Sequence, residues 1–163
     1  MNNQAEYLSP HPFFENQSFE QFCSELPEFY FRADIPKDVL DSFEVVKRLL
    51  VHSYYEYKFI DEAYSKALHT FEMAMNIRYR DFAMLTKPLV FNTLVHELTK
   101  LDLFDTDISV LLHVKDMRNH FSHPERHSFG GAVYWHRIEH ISSLINEMYE
   151  DVDLRIERRK LAP

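Results

Sequence analysis

Glycine is nearly missing from this chain, which has 2 glycines in 163 residues. Sheet-rich domains need many tight turns, and glycine adopts the left-handed backbone angles of such turns most readily. The shortage therefore counts against a β-sandwich, a β-barrel and a doubly wound nucleotide-binding fold. It also counts against any glycine-rich loop that would wrap around a phosphate group.

Cysteine is equally scarce, since Cys23 is the single one. One thiol excludes an internal disulfide and any zinc site built from several cysteines. Its neighbours Phe19 and Phe22 favour a buried, unreactive side chain. No apolar run approaches the roughly 18 residues of a membrane span, and the first residues do not have the pattern of a signal peptide. We therefore expect a cytoplasmic protein that makes no contact with a membrane.

Positive charge is in the minority, because 18 Lys and Arg face 26 Asp and Glu, a net charge of −8. Proteins that coat nucleic acid without specificity are usually basic, since phosphate contacts dominate that affinity. The acidity is concentrated in residues 1–62, where 5 basic residues face 12 acidic ones. Residues 63–163 are nearly balanced, with 13 basic and 14 acidic residues. Any nucleic-acid role must therefore be local.

Aromatic residues are plentiful, with 14 Phe, 9 Tyr and 1 Trp. They supply enough apolar area to exclude disorder for most of the chain, whose length is that of one globular domain. We predict that residues 1–35 form an irregular N-terminal segment with one short helix at about 18–26. Ser18 would cap this helix, and Pro27 would end it. Residues 36–163 would then form the helical domain.

From residue 36 onward, apolar residues recur every three or four positions, which predicts amphipathic helices. The stretch 36–85 contains no glycine and no proline after its first residue, and it is too long for one helix in a small domain. We predict a break within it at 54–58. Further helices are predicted to begin at Pro88, at Asp105 or Asp107, and near Ala132, the last running to about residue 160. The predicted fold class is an all-α bundle of four or five helices with short loops.

The segment most informative about function is residues 115–124, KDMRNHFSHP, which is predicted to end a helix at its proline. Asn119 and His123 are four residues apart, so their side chains lie on one face of that helix. Arg118 and Ser122 form the neighbouring row. The polar side chains therefore converge in one patch at a helix terminus.

These residue types suit the cleavage of RNA without a metal. The attacking 2′-hydroxyl must lose a proton and the leaving 5′-oxygen must gain one, and histidine can do either near neutral pH. The guanidinium of Arg118 can stabilise the charge on the phosphorane with two donors, while Asn119 can contact a phosphate or orient His123. One histidine does not easily act as both acid and base. A second copy of the site, or His120, is expected to help.

The pattern Arg118–Asn119–x–x–x–His123, late in an all-α bundle, resembles the R-x(4–6)-H motif of the HEPN superfamily (higher eukaryotes and prokaryotes nucleotide-binding domains). In that family a polar residue, often asparagine, follows the arginine. The resemblance covers about residues 36–160. It implies a metal-independent endoribonuclease without a cofactor, which acts on RNA as a homodimer with two motifs facing each other across a shared cleft. Many members are toxins or antiviral-defence effectors, so an antitoxin or a defence-system protein is an implied partner.

The resemblance assigns the catalytic roles to Arg118, His123 and Asn119. We expect four further residues to bind the substrate, namely His120, Ser122, Arg126 and Arg137. An alternative comes from the same family, because some members have lost activity and serve as nucleotide-binding or protein-interaction modules. The net charge of −8 favours that alternative, whereas the intact motif favours the nuclease.

A second histidine pattern competes with the first. The segment 136–140 fits H-x-x-E-H, in which two zinc-binding histidines flank a helical turn and a glutamate acts as base. A catalytic zinc needs a third protein ligand, and only 23 residues follow this segment to provide it. We therefore expect no metal cofactor, and we expect His136 and His140 to line the cleft of the motif or to be solvated.

The basic residues also have structural interpretations. Arg118 could be an exposed helix arginine that pairs with an acidic neighbour, and His123 could donate to the free carbonyls of a helix end. The run 155–160 is predicted to be a solvated face that complements the helix dipole, or else a contact for phosphate. Its basic members are Arg155, Arg158, Arg159 and Lys160.

Overall fold

The computed structural model describes residues 8–83, 87–123, 131 and 133–161, and throughout them the regular secondary structure is helical. This confirms the predicted all-α class. After a short 3₁₀ helix at Pro12–Phe14, the helices are α1 (Phe19–Glu25), α2 (Lys37–His52), α3 (Phe59–Ala83), α4 (Phe91–Lys100), α5 (Ile108–Phe121), α6 (Val133–Met148) and α7 (Val152–Leu161). Within these ranges no helix is both long enough and apolar enough to cross a membrane.

The N-terminal segment contains the short helix predicted for it, α1. The Ser18 hydroxyl accepts from the Gln21 backbone N–H at 3.2 Å, and the Gln21 side chain accepts from the Ser18 N–H at 2.9 Å. This reciprocal pair satisfies two backbone donors that a helix start leaves unpaired. Phe22 is fully buried, and the pKa of the half-buried Cys23 thiol is raised by burial and by Glu20. The raised pKa fits the prediction of an unreactive cysteine.

The chain breaks between α2 and α3, at the predicted place. Ser53 ends α2 by donating its buried hydroxyl to the Leu50 carbonyl at 2.6 Å. Tyr54 follows as a buried ring whose hydroxyl donates to the Gln17 carbonyl at 2.7 Å, which ties the N-terminal segment to the bundle. The return helix α3 then packs on α2, α4, α5 and α6, so it lies at the centre of the core.

Two helix boundaries differ from the prediction. Helix α4 begins at Phe91 rather than at Pro88, with Val90 preceding it and providing no side-chain cap. The predicted last helix is two helices, since α6 ends at Met148 and α7 begins at Val152. The Asp151 carboxylate accepts from the Leu154 N–H at 3.0 Å and so starts a new helix. Of the two caps proposed for α5, the structure shows Asp107, which accepts from the Ser109 N–H at 2.8 Å.

The turn before α7 allows Arg155 to enter the protein interior, where its side chain is 0% exposed. Its guanidinium donates to the Asp102 carbonyl at 2.6 Å and to the Glu147 carbonyl. The Glu150 and Asp105 carboxylates lie 3.5 Å and 3.8 Å from its Nε. The expectation of a solvated basic face is therefore wrong for Arg155, because nearby carboxylates and carbonyls compensate the buried charge.

Candidate functional site

Most of the motif lies on helix α5, and the packing of the inner face of α5 fixes this helix in the bundle. The Phe121 ring packs edge-on against Tyr64 and Tyr134, with ring centroids 5.3 Å and 5.6 Å away. Ser122 ends the helix, since its backbone N–H and its hydroxyl both donate to the Arg118 carbonyl, at 3.1 Å and 2.9 Å. His123 is thus held directly after a capped helix end. Pro124, predicted to terminate the helix, lies outside the described residues.

Arg118 is oriented by two side chains. Its Nε donates to Glu72 Oε2 at 2.7 Å, and one terminal nitrogen donates to the Ser122 hydroxyl at 3.3 Å. The Arg118 side chain is 28% exposed and that of Glu72 is 18% exposed, so the ion pair is partly shielded from water. A guanidinium has five N–H donors, and these two contacts use two of them. The other three N–H groups belong to its two terminal nitrogens.

Sequence reasoning did not identify Glu72, which lies 46 residues before Arg118 on α3. A signal was present, however. Leu68 and Met75 lie about one turn before and after Glu72 on α3, and both are fully buried. A carboxylate in such an apolar row needs a cationic partner. The structural interpretation of Arg118, pairing with an acidic residue, is thus observed, and the pair joins α5 to the central helix.

A cleft of about 340 Å³ opens beside this ion pair. Asn76, one turn beyond Glu72 on α3, accepts from the Leu89 N–H through its side-chain oxygen at 2.9 Å. This bond holds the segment before α4 against α3 and brings the start of α4 opposite α5. The lining residues are Glu72, Val90, Phe91, Asn92, Lys115, Arg118 and Asn119.

The remaining motif residues lie around the end of α5. Asn119 is exposed and lines the cleft together with Arg118. His120 is half-buried, and its ring packs edge-on against Phe121 with centroids 5.7 Å apart. His123 is exposed, and its backbone N–H donates to the His120 carbonyl at 3.2 Å. Arg126, a predicted substrate contact, lies outside the described residues.

Comparison of the chain with protein-family models, with curated proteins and with solved structures gives no match. The function is therefore inferred from the motif and from the geometry around it. That geometry consists of an arginine fixed by a carboxylate, an exposed histidine just past a capped helix end, and an open cleft lined by Arg118, Asn119 and the start of α4.

Arg137 lies in a second cleft, of about 300 Å³, between α5 and α6. Its guanidinium contacts the Met117 sulfur at 3.4 Å and lies over the Tyr134 ring, 5.4 Å from the ring centroid. His113, His136 and His140 line the same cleft. The structure thus brings Arg137, His136 and His140 together, but in a cleft other than the one beside Arg118. Tyr64 also lines this second cleft, and burial raises the pKa of its hydroxyl.

The H-x-x-E-H segment forms one turn of α6. His136 Nδ1 lies 3.0 Å from a Glu139 carboxylate oxygen, so the glutamate that would act as base instead contacts the first histidine. Among the described residues, no group of three or more His, Cys, Asp or Glu side chains is placed to hold a metal ion.

Proposed function

We propose that the chain is a metal-independent endoribonuclease of HEPN type. The observation that carries the proposal is the Arg118 guanidinium, which Glu72 and Ser122 hold on α5, the helix that ends two residues before His123. A phosphorane needs fixed positive donors, because donors that are already oriented pay no reorganisation cost when charge develops. The exposed imidazole of His123, two residues past the end of the same helix, supplies the proton transfer in this proposal.

The proposed reaction is attack of a ribose 2′-hydroxyl on the adjacent phosphorus. The O2′–P bond forms and the P–O5′ bond breaks, which leaves a 2′,3′-cyclic phosphate and a free 5′-hydroxyl. His123 takes the 2′-proton or delivers a proton to O5′, while Arg118 donates to the phosphorane oxygens. Asn119, which lines the cleft beside Arg118, donates to a phosphate oxygen.

We expect this activity to need no added metal. Purified protein incubated with single-stranded RNA in excess chelator should cleave it to products ending in a 2′,3′-cyclic phosphate, which mass spectrometry identifies. An oligonucleotide of the same sequence built from 2′-deoxyribose is the matched control, since it has no nucleophile. Cleavage that disappears with chelator and returns with zinc would favour the metal site at His136 and His140.

A second copy of the chain completes the proposed site, because one His123 cannot readily act as both acid and base. We expect a twofold dimer in which two Arg118–His123 segments lie near the axis. Light scattering at micromolar concentration should give twice the mass of the chain. A monomeric mass combined with full activity would instead assign the second proton transfer to His120.

The competing proposal is an inactive HEPN-like module that binds nucleotides or a protein partner. The Glu72 contact favours it to some extent, since an arginine that is already paired also fits a structural role. A net charge of −8 favours it as well. An absence of cleavage across a broad RNA panel would select this proposal. Under the nuclease proposal, the family resemblance implies a cytoplasmic toxin or antiviral effector that an antitoxin or defence-system partner controls.

A further inference from the structure

The cleft beside Arg118 has a composition that a structural role alone does not explain. Lys115 and Arg118 place two cations in its walls, and Asn92 and Asn119 add two amide side chains. Among the described residues that line it, Glu72 is the acidic one, and its carboxylate already pairs with Arg118. The cleft therefore presents two oriented cations, and each of them is paired with one carboxylate, Arg118 with Glu72 and Lys115 with Asp116.

Lys115 is held at this cleft while its charge stays accessible. Its side chain is 22% exposed, and its amine lies 3.0 Å from the Asp116 carboxylate, which is 65% exposed. A pair of this kind, open to solvent on the carboxylate side, contributes little stability and is readily exchanged for another anion. Asp116 does not line the cleft.

The order of these groups along α5 indicates how a bound strand would run through the cleft. Lys115 lies nearly one turn before Arg118 and a full turn before Asn119, and His123 follows two residues after the end of α5. A strand that places a phosphate at Arg118 and His123 can continue along α5 past Asn119 and reach Lys115. Val90, 70% exposed at the far wall, offers an apolar surface to the sugar or base between the two phosphates.

We propose that this cleft binds a second phosphate of a single-stranded RNA, the one next to the scissile phosphate on the side away from His123. Lys115 is its cationic contact, and Asn92 and Asn119 are its neutral donors. This inference rests on the proposed function for the identity of the strand. The cleft itself is defined by residues outside the motif, Lys115 and Asn92.

The test measures binding of a 2′-O-methyl single-stranded RNA, which cannot be cleaved, by fluorescence anisotropy over a range of salt concentrations. Lys115→Gln should weaken binding about tenfold at low salt, because it removes a charge-assisted contact. It should also lower the slope of log affinity against log salt by about 0.7, the value for one phosphate contact on a single strand. Lys115→Arg should keep the slope of the unaltered protein, since it keeps the charge.

The matched control is Lys100→Gln, which removes another lysine paired with a nearby carboxylate, at the opposite end of α4. If both glutamine variants change affinity and slope equally, the effect is one of net charge and the proposed contact is wrong. Failure of the unaltered protein to bind the oligonucleotide also overturns it. If the protein binds RNA through Lys115 but cleaves none, the second phosphate site is supported and the nuclease proposal is wrong. If it cleaves RNA but its binding does not depend on Lys115, the nuclease proposal is supported and the second phosphate site is wrong.

Discussion

Replacement of His123 by alanine is expected to lower the rate of RNA cleavage about 100- to 10,000-fold, the usual contribution of a proton-transfer group. The His123 side chain is exposed and lies after the end of α5, so its removal leaves the core intact. The free energy of unfolding should change by about 1 kcal/mol or less, as for ordinary surface positions. Initial cleavage rates and thermal melting, measured on the same preparation, test both parts.

Cleavage rate and stability should also be measured for two variants of Arg118. Arg118→Ala should lower cleavage about 100- to 1,000-fold by removing phosphorane stabilisation. It also leaves the partly buried Glu72 carboxylate unpaired, so we expect a stability loss of about 1–3 kcal/mol. Arg118→Lys keeps the charge but not the planar fork, and it should recover more stability than activity. If His123→Ala and Arg118→Lys both retain full cleavage in folded protein, the catalytic site lies elsewhere.

Arg155→Ala is expected to cause the largest loss of stability among single substitutions in α7, about 3–5 kcal/mol. The change removes a cation that is fully buried and leaves the Asp105 and Glu150 carboxylates and the Asp102 and Glu147 carbonyls without it. Urea unfolding monitored by circular dichroism measures the difference.

Lys160→Ala is the control for that measurement, since it removes an exposed basic residue from the same helix. Its stability should remain within about 0.5 kcal/mol of the unaltered protein. If the two variants prove equally stable, the ion network at Arg155 does not anchor α7. An Arg155→Ala protein that has lost α7 but keeps the rest of the bundle would show a smaller helical signal before unfolding begins.

Helices could be predicted from the sequence where neighbouring residues along the chain determine their bounds. The apolar period defines the helices, Ser18 and Asp107 begin two of them, and the crowded aromatic residues at 54–58 coincide with the break between α2 and α3. The predicted continuous last helix failed for a non-local reason. Periodicity continues through 149–151, but the buried contacts of Arg155 with residues as far back as Asp102 favour a turn there.

For the candidate site too, relations within one helix could be predicted from the sequence, whereas contacts between helices could not. Spacing predicted Asn119 and His123 on one helix face, but α5 ends at Phe121, so His123 lies two residues past the helix. Glu72 could not be assigned to Arg118 from spacing, since the two residues lie on different helices. The separate cleft of Arg137 was missed for the same reason. Its guanidinium lies on Met117 and Tyr134, at the contact of α5 with α6, and only the tertiary packing of those helices reveals this.

The contact between Glu72 and Arg118 also has a consequence for the timing of synthesis. During translation Glu72 on α3 leaves the ribosome 46 residues before the arginine that it orients. Domains generally fold as units while they are made, so a nascent chain that ends before α5 already holds the carboxylate but has no guanidinium to pair with it. The ion pair that orients the proposed catalytic arginine therefore forms only after α5 has been made and has docked on the helices made earlier.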